Sequence, residues 1–537
     1  MSRWRGNPWA ILLTLSLGFF MTLLDLTIVN IAIPSMLDKL EASLDEVLWV
    51  VNAYVLVLAV LLITAGRLGD LWGKKNLFIA GVAVFTLASL ACGIAQDPTQ
   101  LIAARAVQGL GAALLMPQTM SIIINVFPPE RRGAALGVWG AVAGVSTIAG
   151  PTVGGLLVTS LDWRWIFFVN LPIGILVLAM AVPILPGHTR TVRHRFDVLG
   201  VLLASAALFC LVFALTEGQK YDWNEGIWGL IAASAALFAV FVVHQRGQQD
   251  REPLVPFSLF RDRNFTILNF VGAAVSIGMI GMFLPLTIYM QSVLGYSALK
   301  AGLVIAPSSL MSMFLAPVAG KLSDRVGGKF ILMGGLTLYA LGMLWIVALA
   351  DVGTSWPTFI PAFIVAGIGI GGVFAPMATE ATRNVPPALA GAASGVNNTI
   401  RQVGSVLGSA AVGAVLQNRL AVSLKDEAAA RAGALPPQAR GGFVDGFAAA
   451  AKGGLEVGAG QTGAQQKLPP GTSPSVAHRV QELAGQVFSH GFVHALKPTM
   501  ALPIVVMLLA AAACLGVKGY RSPAAPAEAP AETADLS

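Results

Sequence analysis

Gly66-Arg-Leu-Gly-Asp70-Leu-Trp-Gly73-Lys74-Lys75 and Gly320-Lys-Leu-Ser-Asp324-Arg325-Val-Gly327-Gly-Lys329 are two copies of one turn, G-x-L-x-D-x-x-G with basic residues. Gly66 and Gly73 permit close helix approach and a tight reversal, and Asp70 can dock on a neighbouring helix N-terminus or a basic residue, for about 0.3–1 kcal/mol per contact. Contacts that weak make a breakable latch; the plainer alternative is a solvated turn whose lysines only set topology. The duplication implies two related halves, an organisation typical of transporters, with substrate and coupling ions bound between the halves near the midplane.

Outward from these turns the chain is apolar. Of 537 residues, 56% are hydrophobic and 11% charged, with mean hydropathy +0.74, far from the roughly 25% charge of an ordinary soluble domain. This predicts an all-α polytopic membrane protein. Apolar runs of about 20 residues predict fourteen spans, at roughly 9–33, 47–68, 77–95, 101–124, 134–159, 165–185, 198–216, 226–245, 265–290, 300–320, 330–350, 356–378, 390–416 and 499–518. Two six-helix halves follow, residues 1–185 and 265–518, with two inserted helices and their linkers at 186–264. The segment 417–498, rich in Ala, Gly and Gln, is expected to be a largely flexible outer loop, with Val480, Leu483, Val487, Phe492 and Leu496 forming one apolar helix face. The Ala/Pro-rich tail, 519–537, is expected to be disordered.

Basic residues sort by loop. Arg67, Lys74 and Lys75, Arg131 and Arg132, Arg190 to Arg195, and Lys321 to Lys329 flank one set of span ends, while the opposite loops hold only Lys39, Arg164, Lys220 and Lys300. By the positive-inside rule both termini and both turns are cytoplasmic, and the span count is even. This placement accounts for the net charge of +7 without a nucleic-acid partner. The cysteines, Cys92, Cys210 and Cys514, are unpaired in spacing and suggest neither disulfide nor metal site. No cofactor is implied, and the absence of a G-x-x-x-x-G-K-[ST] loop disfavours ATP-driven transport.

The first span carries Leu24-Asp-Leu-Thr-Ile-Val-Asn-Ile-Ala-Ile-Pro34, in which Asp25 is charged between Arg5 and Asp38. An intramembrane carboxylate costs several kcal/mol unless relieved, and by default marks an ion or proton site; the alternative is a wet interfacial turn. Arg105, about one turn in from the outer end of span 4, lies at similar depth. Facing Asp25, it would hold the carboxylate ionised, and protonation would release it to Gln108 or Asn30. Alone, it would snorkel to the interface. Arg401, about 16 Å into span 13, is near the midplane and is assigned to the central cavity. Asn30, Asn52, Tyr54, Gln108, Met116, Gln118, Asn170, Asn269, Tyr289, Gln291, Asn398 and Gln402 are further cavity candidates, each of which could also be core packing. As a set these neutral residues describe a pocket with few fixed charges and adaptable apolar surface, suited to amphipathic or cationic organic compounds rather than sugars.

These stretches resemble the major facilitator superfamily, and in detail its fourteen-span drug:proton antiporters, the EmrB/QacA-like group. The Gly66–Lys75 turn matches the superfamily's cytoplasmic motif, with Leu71 where a basic residue is usual and Trp72 where Phe or Tyr is. Residues 101–111, Leu-Ile-Ala-Ala-Arg105-Ala-Val-Gln108-Gly-Leu-Gly, match the fourth-span motif. Gly150-Pro151-Thr-Val-Gly154-Gly155 matches the exporters' fifth-span motif, with Ser146 in place of an upstream Gly, and Leu24–Pro34 matches the group's first-span signature. The resemblance implies a multidrug exporter rather than an enzyme, working as a monomer, exchanging an external proton for a cytoplasmic small molecule across the cell membrane, with the turn as a latch favouring the outward-open state. The alternative within transport is a dedicated exporter of one endogenous metabolite or antibiotic. An enzyme would need paired catalytic groups at one depth, which Asp25 and Arg105 supply in a geometry better suited to ion coupling.

Overall fold

The computed structural model describes residues 6–40, 44–187, 197–218, 221, 223–250, 253–452 and 474–519, and among these it contains helices and no strand. The first half comprises α1 (Pro8–Lys39), α2 (Leu44–Trp72), α3 (Lys74–Ile94), α4 (Pro98–Val126), α5 (Pro129–Ser160), the short α6 (Trp165–Phe168) and α7 (Asn170–Ile184). Then come α8 (Val198–Glu217), α9 (Glu225–Gln248) and the short α10 (Ser258–Arg261). The second half comprises α11 (Arg263–Ile288), α12 (Ala298–Val326), α13 (Lys329–Leu349), α14 (Ile360–Gly371), α15 (Phe374–Thr382), α16 (Ala390–Arg431), α17 (Pro437–Lys452) and α18 (Pro474–Ala513). Thirteen helical stretches among the described residues are long and apolar enough to cross a membrane. The other predicted span, 134–159, lies on the 32-residue α5.

The helix starts follow from local sequence. Asn7, Asp97, Asn224, Asp262 and Ser297 each accept a backbone N–H two or three residues on, satisfying donors that a helix start leaves free. Asp197 does so for α8 through Gly200 N–H. Burial would raise its pKa, but hydrogen bonds from His244, Gly200 and Gln245 hold it below the ordinary carboxylate value, which ties α9 to the start of α8. At both duplicated turns the last motif glycine breaks the helix with positive φ, 92° at Gly73 and 87° at Gly327, a conformation side chains resist.

Each half has its own apolar core, and side chains such as Phe270 and Phe330 stand exposed outside, as a lipid-facing surface requires. The inserted helices pack at the edge of the α2–α16 seam, Val212 against Leu56 and Ala59, and Ala204 and Phe241 in a cluster with Val396.

Residues 417–498 correct the expectation of a largely flexible loop. α16 continues to Arg431, burying Leu416, Leu420, Leu424 and Ala428 at four-residue spacing. Phe443 and Phe447 of α17 and Phe488 and Phe492 of α18 are buried in the same core. The expected apolar face is there, since Val480, Leu483, Val487, Phe492 and Leu496 are all buried. Residues 453–473 and the tail from 520 lie outside the described residues.

Candidate functional site

Asp25 is fully buried, held by side chains from α4 and α7. Arg105 Nη1 donates to Asp25 Oδ2 at 2.5 Å, while Gln108 Nε2 and Asn170 Nδ2 donate to Oδ1 at 2.9 and 3.2 Å. Arg105 Nε donates to Val50 O at 2.9 Å, Nη1 also donates to Gln108 Oε1 at 2.7 Å, and the guanidinium lies 4.3 Å from the Tyr54 ring centroid. Ser89 Oγ accepts from both Gln108 and Asn170. An ion pair taken wholly out of water is tolerable only when its remaining donors and lone pairs are occupied, as they nearly all are here. Among the described residues, two buried atoms of this cluster lack partners, Tyr54 Oη and Asn170 Oδ1. The sequence placed Asp25 and Arg105 at one depth; their burial rules out the snorkelling arginine and the wet turn. Gln108, Tyr54 and Asn170, read as cavity candidates, belong to this charge cluster instead.

The two halves meet at the end of the bundle that carries the duplicated turns. Asp70 accepts from Gly391 and Ala392 N–H at 3.1 and 3.0 Å, in the first turn of α16, with Lys74 Nζ 3.4 Å from Oδ1. Asp324 makes the symmetrical contact, accepting from Gly133 and Ala134 N–H of α5 at 2.8 and 3.0 Å. Glycine permits these approaches. A Cβ on Gly66 would strike the backbone of Gly391 and Gly395, and one on Gly320 the backbone of Gly133. Arg325 is exposed and forms no ion pair among the described residues.

Farther along, both seam helices turn to their own half. A Cβ on Gly150 or Gly154 of α5 would meet Thr27 or Ile28 of α1, whereas Gly155 faces open space. On α16, Gly404 and Gly408 likewise pack on Ala273 and Ile277 of α11. Gly150 and Gly154 of the fifth-span motif therefore form a seam within the first half, one turn from Asp25. The side chain of Pro151 lies outside the described residues.

The sequence model of the Major Facilitator Superfamily matches residues 15–409. The chain belongs to this superfamily. It is 44% identical over 422 residues to an uncharacterized MFS-type transporter of Mycobacterium tuberculosis, covering 78% of this chain and 72% of that one. It is 35% identical to the tetracenomycin C resistance and export protein of Streptomyces glaucescens, covering 78% and 77%, and 35% identical to multidrug resistance protein Stp of Mycobacterium tuberculosis, covering 77% of each. Among solved structures, the human organic anion transporter MFSD10 superposes with a TM-score of 0.57 at 12% identity, covering 93% of this chain and 99% of that one, which shows a shared fold.

Other residues of this facilitator fall away from the cluster. Gln118 donates to Ala65 O beneath the Gly66 turn and supports the α2–α4 contact. Tyr289 Oη bonds both backbone groups of Asp351, with half-buried Gln291 two residues on, so Tyr289 fastens a loop rather than facing a cavity. Asn30 is exposed and donates to Leu26 O, four residues back on its own helix, away from Arg105. Asn269 accepts from Asn397, and Asn398 donates to Ser394. Met116, Arg401 and Gln402 are partly buried. Sequence reading missed Ser89, which nothing distinguishes from other serines in apolar helices. It also missed Glu217, buried at the end of α8 and accepting from Asn52 at 3.2 Å; an acid closing an apolar span was the available signal.

Proposed function

We propose that this chain is a proton-coupled efflux transporter of the cell membrane, exporting amphipathic organic compounds, antibiotics among them, by alternating access. The single observation that carries the coupling is the buried Asp25 with an ionic partner and two amide neighbours, one of which keeps an unpartnered acceptor. When an external proton reaches Asp25, the attraction holding Arg105 to Oδ2 weakens, and Arg105 keeps Val50 O and Gln108 Oε1. Asn170, turned about its side-chain amide axis, accepts the new carboxyl O–H on Oδ1. Protonation thus replaces the ionic hold on Arg105 with a neutral hydrogen bond to Asn170. The change is felt along α1 at Thr27 and Ile28, which press on Gly150 and Gly154 of α5, the helix that reaches the other half at Gly133.

In this reading the chain is one of the fourteen-span antiporters, with both termini and both turns cytoplasmic. The halves, residues 1–185 and 265–518, rock about the α2–α16 and α5–α12 seams. Asp70 and Asp324 hold the cytoplasmic end shut and so favour the outward-open side of the cycle, and one copy in the bilayer suffices. The names of the relatives, multidrug resistance and tetracenomycin C export, support efflux as the direction.

The test is proton-driven uptake into inverted membrane vesicles of a panel of fluorescent amphipathic compounds, anionic, neutral and cationic. Asp25→Asn at matched expression is expected to lower uptake at least tenfold, and a protonophore to abolish the wild-type signal. Equal uptake by mutant and wild type removes Asp25 from the mechanism. Transport of one compound from the panel selects the dedicated exporter suggested by the tetracenomycin relative.

A further inference from the structure

Arg401 is the charge that the coupling network leaves unused. It lies eleven residues into α16, which begins at Ala390, about 16 Å along the axis and so near the middle of a bilayer-spanning stretch. Its Nε is sealed from solvent without a hydrogen-bond partner, and among the described residues the side chain forms neither a hydrogen bond nor an ion pair. Its aliphatic stem runs beside Gly272 of α11, and its guanidinium stands 5.0 Å from the centroid of Phe374. Phe374 opens α15, just after Gly372 and Val373 interrupt the helix begun by α14. It also faces the other half, because a Cβ on Gly140 of α5 would touch Phe374 Cβ. A cation, an aromatic face and a helix break therefore meet where the two halves approach one another.

A partly buried guanidinium with Nε sealed and no hydrogen-bond partner among the described residues is costly, and Arg cannot shed its proton to escape that cost. Arg105 shows how the same chain treats an arginine it means to neutralise, with a carboxylate, a carbonyl and an amide oxygen all in reach. Arg401 has an aromatic ring and nothing anionic. We infer that Arg401 and Phe374 form the anchor for an anionic aromatic substrate, whose carboxylate or phenolate pairs with the guanidinium while its ring packs against Phe374. A cation at this point would meet an uncompensated like charge. This inference rests on the efflux reading for its meaning and narrows the substrate class within it, but binding is measurable without transport.

The experiment measures equilibrium binding of radiolabelled 2-naphthoate to the purified full chain, with 2-naphthylmethylammonium as the cationic counterpart of similar shape. Wild type is expected to bind naphthoate at least tenfold more tightly than the cation. Arg401→Gln should lose at least tenfold of the naphthoate affinity, Arg401→Lys should recover part of it, and Phe374→Leu should weaken both probes. Because Arg401→Gln removes a partly buried, unpaired charge, it should remain monodisperse, and Arg401→Lys checks folding with the charge kept. Binding indifferent to Arg401→Gln, no naphthoate binding at millimolar concentration, or tighter binding of the cation overturns the inference. Arg401-dependent binding in a chain that transports none of the vesicle panel would sink the efflux reading while sustaining the anion anchor. Robust uptake with Arg401-independent binding would do the reverse.

Discussion

At the scale of single residues, the pairing of Asp25 with Arg105 sets a sharp expectation. Removing one member of a buried pair leaves the other charged and unpaired, at a cost of about 3–5 kcal/mol, whereas removing both charges together is often neutral. Arg105→Ala should therefore destabilise the purified protein strongly, and Asp25→Asn/Arg105→Gln should recover most of that stability without recovering proton-driven uptake. Thermal unfolding followed alongside vesicle uptake separates the two effects; a double variant as unstable as Arg105→Ala would mean that packing on the Tyr54 ring and on that of Phe167, whose centroid lies 5.8 Å from the guanidinium, holds the site rather than charge. Half of this site was legible in the sequence. A charge inside an apolar span is conspicuous, and equal depth could be counted from span ends. Gln108, three residues after Arg105 on the same helix, could be named as an acceptor for it, but Asn170 could not be placed beside Asp25, because it looks like any amide in an apolar helix until helix rotation decides which interior it faces.

At the scale of elements, the glycines of α5 and α16 do two jobs that their spacing does not separate. Gly133 and Gly137 face α12 and Gly391 and Gly395 face α2, while Gly150, Gly154, Gly404 and Gly408 face helices of their own half. A stripe at three- to four-residue intervals predicts close packing, but not the partner, because the helix carries the stripe past two neighbours in turn. Gly320→Val should force apart the backbones of Gly320 and Gly133, which have no flexible side chain to yield, and so open the seam at the turn end. Gly155→Val, which meets open space, is the matched control. Reactivity of single cysteines placed in the turn-end half of that seam should rise several-fold in the first variant and stay unchanged in the second; equal reactivity in both would mean that the contact does not keep the end closed. The same limit on spacing explains the misread 417–498 segment. Its aromatics are few and scattered in sequence, and Phe443, Phe447, Phe488 and Phe492 make a core only because α16 and α18 extend far enough to bring them together.

At the scale of the whole molecule, the halves are alike in their joints and unlike in their charges. Gly150 meets Thr27 as Gly404 meets Ala273, so the position matching Asp25, two residues before Thr27, is the buried Val271, two before Ala273. The buried Asp25–Arg105 pair therefore belongs to the first half, Arg401, unpaired among the described residues, to the second, and the repeated turns bind the two together. The duplication was readable because Gly and Asp at fixed spacing survive as a pattern, whereas the functional asymmetry rests on single substitutions within apolar helices. Two equivalent clasps should act additively, being on separate seams with no shared partner. Each aspartate on a helix start is worth about 1 kcal/mol, so Asp70→Asn and Asp324→Asn should each shift the balance toward an open turn end by roughly fivefold, and the double variant by roughly thirtyfold. Paired spin labels across the turn end, read as distance distributions, measure those populations directly. A double variant no more open than either single one would show that one clasp alone governs the end, and that the repeat is inherited architecture without a shared mechanical role.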